Sequence, residues 1–235
     1  MLTKARYATS AAALALALSI PFGRPALGAI VPFTEDFAAD SANWRGASDA
    51  ALITWQPAGG PDDGSFISGV FNFAATSAGD PVVQFRGQEE FGSSGGAFVG
   101  DWIADGIEQF TAYVRHDAEV PLTFFVRFSL PSRFPGGTAV SFAPVPAHTW
   151  TPIIIPIAAS NPQFVTFENS DFDSVFGNIG NVQVGVSVPE GLAGVDATVG
   201  FDLDKVAIVP EPAVLTLLVV AAGAGMVRRR RTVQR

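Results

Sequence analysis

The chain has 235 residues, of which 48% are hydrophobic and 15% charged, with 14 Lys and Arg against 22 Asp and Glu. It contains no cysteine, which excludes a disulfide framework and a cysteine nucleophile. The excess of acid argues against nucleic acid as a partner, because a phosphate backbone requires a basic surface. The length fits one all-β domain once the two ends are set aside.

The first 29 residues have the order of a secretory signal peptide. Lys4 and Arg6 precede an apolar stretch at 8–20, and the prolines and glycine of 21–25 end any helix. The small residues of 26–29 then offer a cleavage site. The apolar run is about 13 residues long, whereas a membrane-spanning helix needs about 20. We therefore predict a signal helix that is removed after export; the alternative is a short N-terminal anchor.

The part between the ends is strongly acidic. Eight of the fourteen bases and one acid lie in the terminal segments, which leaves six bases and twenty-one acids, a formal charge of −15, at 30–209. Cations, or neutral surfaces such as polysaccharide, suit this charge better than nucleic acid does. Solubility alone also explains it, because a strongly charged surface keeps an exported protein dispersed.

Residues 30–209 alternate between apolar and polar side chains and contain no long helical pattern. Every second residue is apolar in 122–130 and in 181–188, which is typical of half-buried antiparallel strands. Gly- and Pro-rich turns separate such stretches. We predict an all-β fold, one antiparallel β-sandwich of the jelly-roll type, with the strand order left open. The nine predicted strands are 52–55, 66–73, 82–86, 109–115, 122–130, 138–142, 152–157, 181–188 and 198–209.

Acidic residues mark a further strand at 33–37, which precedes these nine, and the last of the nine. Phe33-Thr34-Glu35-Asp36-Phe37, followed by Trp44, and Phe201-Asp202-Leu203-Asp204-Lys205-Val206 resemble jelly-roll carbohydrate-binding and galactose-binding-like modules. The resemblance implies a structural calcium ion where the first and last strands meet.

Asp202 and Asp204 are two residues apart, so on a strand they share one face. A shift of the apolar register predicts a β-bulge near Asp204 or Lys205. With Glu35 or Asp36 from a neighbouring strand, these carboxylates have the hard oxygen atoms that calcium prefers. A solvated acidic face is the alternative interpretation.

Aromatic residues are the candidate sugar-stacking platforms. Trp102 follows a glycine and an acid, and Phe125 interrupts the polar face of its strand. We predict ligand contacts at these two positions, with a place in the hydrophobic core as the alternative.

The sequence has few features of an enzyme. Its two histidines, His116 and His148, are isolated, and it has no Gly-x-Ser-x-Gly elbow and no phosphate-binding loop. We therefore predict that it is not an enzyme. A pair of carboxylates for glycoside hydrolysis stays open, because their separation is spatial.

The C-terminus has three consecutive parts. Pro210-Glu211-Pro212 is followed by an apolar segment at 214–227 and then by four arginines, Arg228, Arg229, Arg230 and Arg231. This order resembles the PEP-CTERM sorting signal, which in that family is read by an exosortase. The resemblance implies a sorting function for the Pro-Glu-Pro motif. The positive-inside rule places the arginines in the cytoplasm and everything upstream outside.

These features predict three segments: a signal peptide at 1–29, an exported β-sandwich at 30–209 and a sorting signal with a transmembrane helix at 210–235. The protein would be anchored in the inner membrane by that helix before processing and reside afterwards in the cell envelope or outside the cell. By resemblance it is a non-catalytic matrix or surface protein associated with exopolysaccharide. A carbohydrate-binding module with structural calcium is the alternative, and a glycan-active enzyme the third.

Overall fold

A computed structural model describes residues 32–51 and 53–210. The predicted signal helix, the transmembrane helix and the arginine cluster lie outside the described residues. Eleven strands and one short helix follow one another along the described chain. They are β1 (Phe33–Glu35), β2 (Thr54–Gln56), β3 (Phe66–Asn72), β4 (Pro81–Gln88), β5 (Ile107–His116), β6 (Thr123–Ser129), β7 (Gly136–Val140), β8 (Thr151–Pro156), β9 (Phe164–Thr166), α1 (Phe172–Phe176), β10 (Asn181–Ser187) and β11 (Thr198–Pro210).

The strands form two antiparallel sheets. Sheet A has the order β2-β3-β11-β5-β8, and β1 also pairs with β11; sheet B has the order β4-β10-β6-β7-β9. The long strand β11 pairs with β3 along its first half and with β1 along its second. The predicted all-β, antiparallel β-sandwich is therefore confirmed.

The core lies between the sheets and is rich in aromatic rings. Phe124, Val126 and Phe128 of β6 point inward, and so do the valines of β10. The ring of Phe128 packs against those of Phe110 and Trp102 at centroid distances of 5.2 and 5.3 Å. Burial of one such side chain stabilises the fold by about 1.5–3 kcal/mol. Without disulfides, this packing supplies the main stabilisation.

All nine predicted strands are present, with ends that differ by a few residues. The short strand β9 and the helix α1 were not predicted. The N-cap of α1 is Asp171, whose Oδ1 accepts a hydrogen bond from the Ser174 amide at 2.8 Å. Five residues give too little periodicity to be recognised.

No helix in 32–51 and 53–210 has the length and apolar character needed to cross a membrane.

The predicted β-bulge in the last strand is also confirmed. The pairing of β11 with β5 shifts between Asp204 and Ala207, and Lys205 has a positive φ of 48°. The bulge lets Leu203 and Val206 both reach the core, although three positions separate them.

Candidate functional site

The outer face of sheet B carries a continuous set of polar side chains, which we call the polar face. One row follows the strand register from Arg86 on β4 through Gln183 on β10 to Arg127 on β6, and continues to Thr138 on β7. Because directly paired residues point to the same side of a sheet, these side chains lie next to one another. The polar face comprises Gln84, Arg86, Gln88, Asn181, Gln183, Arg127 and Ser129.

Most of this face is buried, although it is polar. Gln84, Gln88, Asn181, Gln183 and Ser129 are five of the eight buried polar residues in the described part of the chain. A polar outer face is ordinary for an antiparallel sheet, but burial of a polar group without a hydrogen bond is destabilising. It is therefore the burial of this polar layer that makes it a candidate site.

The polar face also retains unused hydrogen-bonding capacity. In the described chain, seven buried side-chain atoms have no hydrogen-bond partner; the one outside this region is Nδ1 of His116, in the core. The amide of Gln88 lies beside the Asp49 carboxylate but makes no hydrogen bond of normal geometry to a described group. The other six unpartnered atoms belong to the polar face or to Arg45 beside it. They are Arg45 Nε, Gln84 Nε2, Arg86 Nε, Gln88 Nε2, Gln88 Oε1 and Ser129 Oγ.

Arg127 occupies the centre of the polar face and is held by several partners. Its Nε and Nη2 donate to the two carboxylate oxygens of Glu168 at 2.6 and 2.7 Å, and its Nη1 donates to Oε1 of Gln183 at 3.3 Å. The Arg127 hydrogen bonds hold the pKa of Glu168 below its ordinary value, although burial acts in the opposite direction. This bidentate geometry gives the guanidinium one defined orientation.

A second arginine closes one end of the polar face. Arg133 follows β6 and forms ion pairs with Asp49 and Glu90. Burial raises the pKa of Asp49, but the hydrogen bond from Arg133, with contributions from Gln88 and Arg86, brings it below its ordinary value. Segments 45–50 and 131–135 are thereby joined at the edge of the polar face.

An exposed aromatic ring borders the same surface. Phe134 is 59% exposed and follows Arg133, whose carbonyl accepts a hydrogen bond from Nη2 of Arg127 at 2.7 Å. At the other border, the guanidinium of Arg45 lies 4.5 Å above the ring of Phe91. An exposed aromatic residue thus directly follows a backbone group that contacts the polar face.

The outer face of sheet A has a different character. Arg115 lies 4.6 Å from the ring of Trp150 and 5.1 Å from that of Phe66, and its Nε donates to Asp202 at 2.7 Å. The Trp150 indole donates to the carbonyl of Gly59 at 2.9 Å. A pocket of about 420 Å³ opens beside Arg115. Since these groups already have partners, they hold the sheet together, and the polar face is the better candidate site.

All four predicted calcium ligands have protein partners of their own. Asp202 pairs with Arg115, Oε1 of Glu35 accepts from the Phe37 amide at 2.9 Å, and Oδ1 of Asp36 accepts from the Ala38 amide at 3.2 Å. Asp204 is only 1% exposed, and its Oδ1 accepts from the Lys205 amide at 2.7 Å.

Asp36 and Asp204 do come together, in a second pocket of about 370 Å³ that Asp62 and Lys205 also line. Burial raises the pKa of Asp204 to about 7, and the charges of Asp62 and Asp36 act in the same direction. Within the described residues, no group of three or more His, Cys, Asp or Glu side chains has an arrangement that would hold a metal. The calcium site stays a prediction, and Asp204 is the ligand residue that best tests it.

The two predicted aromatic platforms are not exposed. Trp102 is fully buried between Phe128 and Phe176, and its indole donates to the Phe98 carbonyl at 2.9 Å, so no ring face is free for a sugar. Phe125 does lie on the outer side of sheet B, but it is 3% exposed because its ring packs over Gly185. Phe134, which the sequence analysis did not select, has the exposure that these two lack.

Of the predicted sorting motif, Pro210 alone is described, as the last residue of β11, where it pairs with Ile107. Glu211, Pro212 and the arginines Arg228 to Arg231 lie outside the described residues. The sorting function stays a prediction from the sequence.

Comparisons with known proteins give a likeness of fold. No protein-family model and no curated protein matches the chain. Among solved structures, the chain is similar to an exo-beta-agarase, with a TM-score of 0.51 and 10% identity over 78% of this chain and 26% of the agarase chain. At this identity the likeness establishes the β-sandwich fold alone.

Two further solved structures from Clostridium thermocellum resemble the chain. One contains the CBM22-1 and GH10 modules of endo-1,4-beta-D-xylanase 10B in complex with xylohexaose, with a TM-score of 0.47 and 16% identity over 76% of this chain and 28% of that chain. The other is the family 11 carbohydrate-binding module of the cellulosomal cellulase Lic26A-Cel5E. Its TM-score is 0.44, and it is 12% identical over 78% of this chain and 96% of the module. The chain spans about a quarter of the agarase and of the xylanase.

Proposed function

We propose that the β-sandwich is a carbohydrate-binding module and that a polysaccharide binds along the polar face of sheet B. The observation that carries this proposal is the row Arg86, Gln183 and Arg127, which crosses three adjacent strands at one register. The row continues through Thr138 to Thr166 at the far edge of the sheet. At about 4.8 Å between strands, its full length is about 19 Å, enough for several sugar rings.

The chemistry of these side chains suits sugar hydroxyl groups. A hydroxyl both donates and accepts hydrogen bonds, and amide and guanidinium groups present several donors in one plane. Neighbouring hydroxyls on a sugar ring can therefore be bound in pairs. Within the row, Arg86 and Arg127 are partly exposed, so they are the residues that a polysaccharide would reach first.

Phe134 supplies the apolar part of this proposed site. The C–H groups on one side of a sugar ring are apolar, and an aromatic ring face is a suitable surface for them. Since Phe134 borders the polar face at Arg127, one sugar would stack on its ring while the next contacts the polar row.

The rest of the proposed function concerns sorting and location. The protein is exported by its signal peptide, anchored in the inner membrane, and processed at its PEP-CTERM tail by an exosortase-type enzyme. It then acts without catalysis in the cell envelope or extracellular matrix, in contact with exopolysaccharide. The Pro-Glu-Pro motif, the apolar segment and the arginine cluster support this part.

Binding of the purified full-length chain to a panel of soluble polysaccharides tests the module. We expect saturable binding to at least one of them, weakened about fivefold or more by Phe134→Ala, because one stacked ring contributes about 1 kcal/mol. Val70→Ala is the matched control, since Val70 is 71% exposed on sheet A. Release of reducing sugar is measured in parallel and should be absent.

Two outcomes would contradict the proposal. Binding to no polysaccharide in the panel would favour a structural matrix protein without a discrete ligand. Equal loss of affinity in the Phe134→Ala and Val70→Ala variants would place the ligand elsewhere than on sheet B.

A further inference from the structure

The basic residues of the exported part are concentrated on one side of the sandwich. Residues 30–209 contain only six bases against twenty-one acids. Four of the six lie on the polar face or at its border, whereas the other two lie on sheet A. The four are Arg45, Arg86, Arg127 and Arg133. In so acidic a chain, this face is a local region of positive charge.

Two of these four arginines lack an acidic partner. Arg127 pairs with Glu168, and Arg133 pairs with Asp49 and Glu90. Within the described part of the chain, no ion pair involves Arg45 or Arg86. A guanidinium without a carboxylate is unexpected where acids outnumber bases more than threefold.

Arg45 and Arg86 are also direct neighbours. Each backbone amide donates to the carbonyl of the other at 2.9 Å, so the two residues form an antiparallel bridge. Trp44 is buried in the core on the inner side, which turns Arg45 to the outer side together with Arg86. The two guanidinium groups therefore project from one point at the edge of the polar face.

The donors at this point are only partly used. Nη2 of Arg86 donates to the Ala47 carbonyl at 3.1 Å, but the Nε atoms of both arginines are buried without an acceptor. On β4, two residues before Arg86, the amide nitrogen of Gln84 is also unpartnered, and this side chain is 2% exposed. A buried donor without a partner is destabilising by about 1–3 kcal/mol. A ligand rich in acceptors would relieve this.

Burial has the largest effect on the Arg86 guanidinium and lowers its pKa. The charge of Asp49 raises this pKa, and the smaller effects of Arg133 and Arg127 lower it. The Arg86 cation is thus less stable than in water. A bound anion would stabilise it, because opposite charges interact strongly at a partly buried site.

We propose that Arg45 and Arg86 bind an anionic group of the polysaccharide, so that the ligand is an acidic glycan carrying carboxylate or sulfate groups. This inference rests on the proposed function and names its substrate class. The guanidinium fork matches both groups, since each presents two or more oxygen atoms in a fixed geometry. The formal charge of −15 over residues 30–209 opposes unspecific binding of a polyanion to the sandwich, so any such binding requires a local site.

Two pairs of polysaccharides test the inference on the full-length chain at about 0.15 M salt. Polygalacturonate is compared with its methyl ester, and dextran sulfate with dextran. We expect the acidic member of at least one pair to bind about tenfold or more tightly than its neutral counterpart, as charge-assisted hydrogen bonds imply. Preference within the first pair identifies a carboxylate, and within the second a sulfate.

Substitutions then locate the charge effect. Arg45→Gln should remove most of the preference for the acidic member and leave binding of the neutral one unchanged. Arg86→Gln should also remove most of the preference, but it should weaken binding of the neutral member as well, because Arg86 belongs to the polar row. Arg115→Gln on sheet A removes the same charge and is the control. It should change neither the preference for the acidic member nor the binding of the neutral member. Arg86→Lys keeps the charge without the fork and should retain part of the preference. Thermal denaturation confirms that each variant is folded.

Equal affinity for the acidic and neutral members overturns the inference, and so does a preference that survives both glutamine substitutions. Binding of neutral polysaccharides alone overturns the acidic substrate class but supports the proposed function. Binding of no polysaccharide overturns both.

Discussion

Asp204 is the residue at which burial and charge conflict most. Its carboxyl lies beneath residues 59–65, where a Cβ atom on Gly60 would stand 2.9 Å from its Oδ2. The Lys205 amide donates a hydrogen bond to it, while Lys205 Nζ pairs with Asp62 at 2.6 Å. The bulge in β11 produces this placement, because it keeps Asp204 on the outer side while the core register resumes at Val206.

The raised pKa of Asp204 predicts that stability falls as pH rises. The folded chain, with a pKa of about 7 against 3.8 for an ordinary Asp, binds more protons between these values. The stabilisation is therefore complete below about pH 4 and lost as pH passes about 7. Asp204→Asn stays neutral, so its unfolding free energy should exceed that of the wild type by about 2–4 kcal/mol at pH 8.

Thermal denaturation of the full-length chain at pH 5 and pH 8 measures this effect. Asp63→Asn, which removes an exposed carboxyl nearby, is the control and should leave the pH dependence unchanged. An identical pH dependence in the wild type and Asp204→Asn would contradict the prediction.

Calcium can be added at pH 8: a rise in melting temperature in the wild type alone would support the predicted calcium site.

At the scale of elements, strand β10 shows why a glycine stands among valines. A Cβ atom on Gly185 would lie 2.5 Å from Cζ of Phe125 and 2.5 Å from the Val82 carbonyl oxygen. The β4 register shifts at this same residue. Glycine in a strand interior often marks such a close approach. The pair of Phe125 and Gly185 thus forms the floor of the outer side of sheet B.

Gly185→Ala should therefore destabilise the sandwich by about 1–3 kcal/mol, because neither the ring nor the backbone can move without loss of packing. Urea denaturation of the full-length chain measures the change. Gly191→Ala is the matched control, since a Cβ atom there would meet nothing within 4 Å. A Gly185→Ala variant as stable as this control would show that Phe125 repacks freely.

At the scale of the whole molecule, the two ends of the chain carry the predicted signals for where the sandwich acts. The sorting interpretation predicts that Glu211→Ala leaves export intact but blocks processing, because it removes the charge between two prolines that resembles the recognition motif. The mass and location of the protein in its native host measure this. Glu190→Ala, the same change in an exposed segment, should mature normally. Normal maturation of Glu211→Ala would remove the main support for sorting.

Much of the sandwich was predictable from local pattern. The alternation in 122–130 and 181–188 identified β6 and β10, and the change of apolar register identified the bulge at Asp204 and Lys205. These features depend on neighbours in sequence, because successive residues of a strand point to opposite faces. The polar positions of the same strands, including Arg127 and Gln183, appeared only as a solvated face.

The candidate site was decided by tertiary structure. Trp102 and Phe125 differ from Phe134 in burial, and burial depends on which strands pack above a ring, which periodicity does not contain. The row of Arg86, Gln183 and Arg127 unites residues that are 41 to 97 positions apart through strand order alone. The sequence by itself determined most of the strands and the acidic charge, and it predicts the two terminal signals. Pairing between distant strands decided which polar side chains meet and which aromatic ring stays exposed.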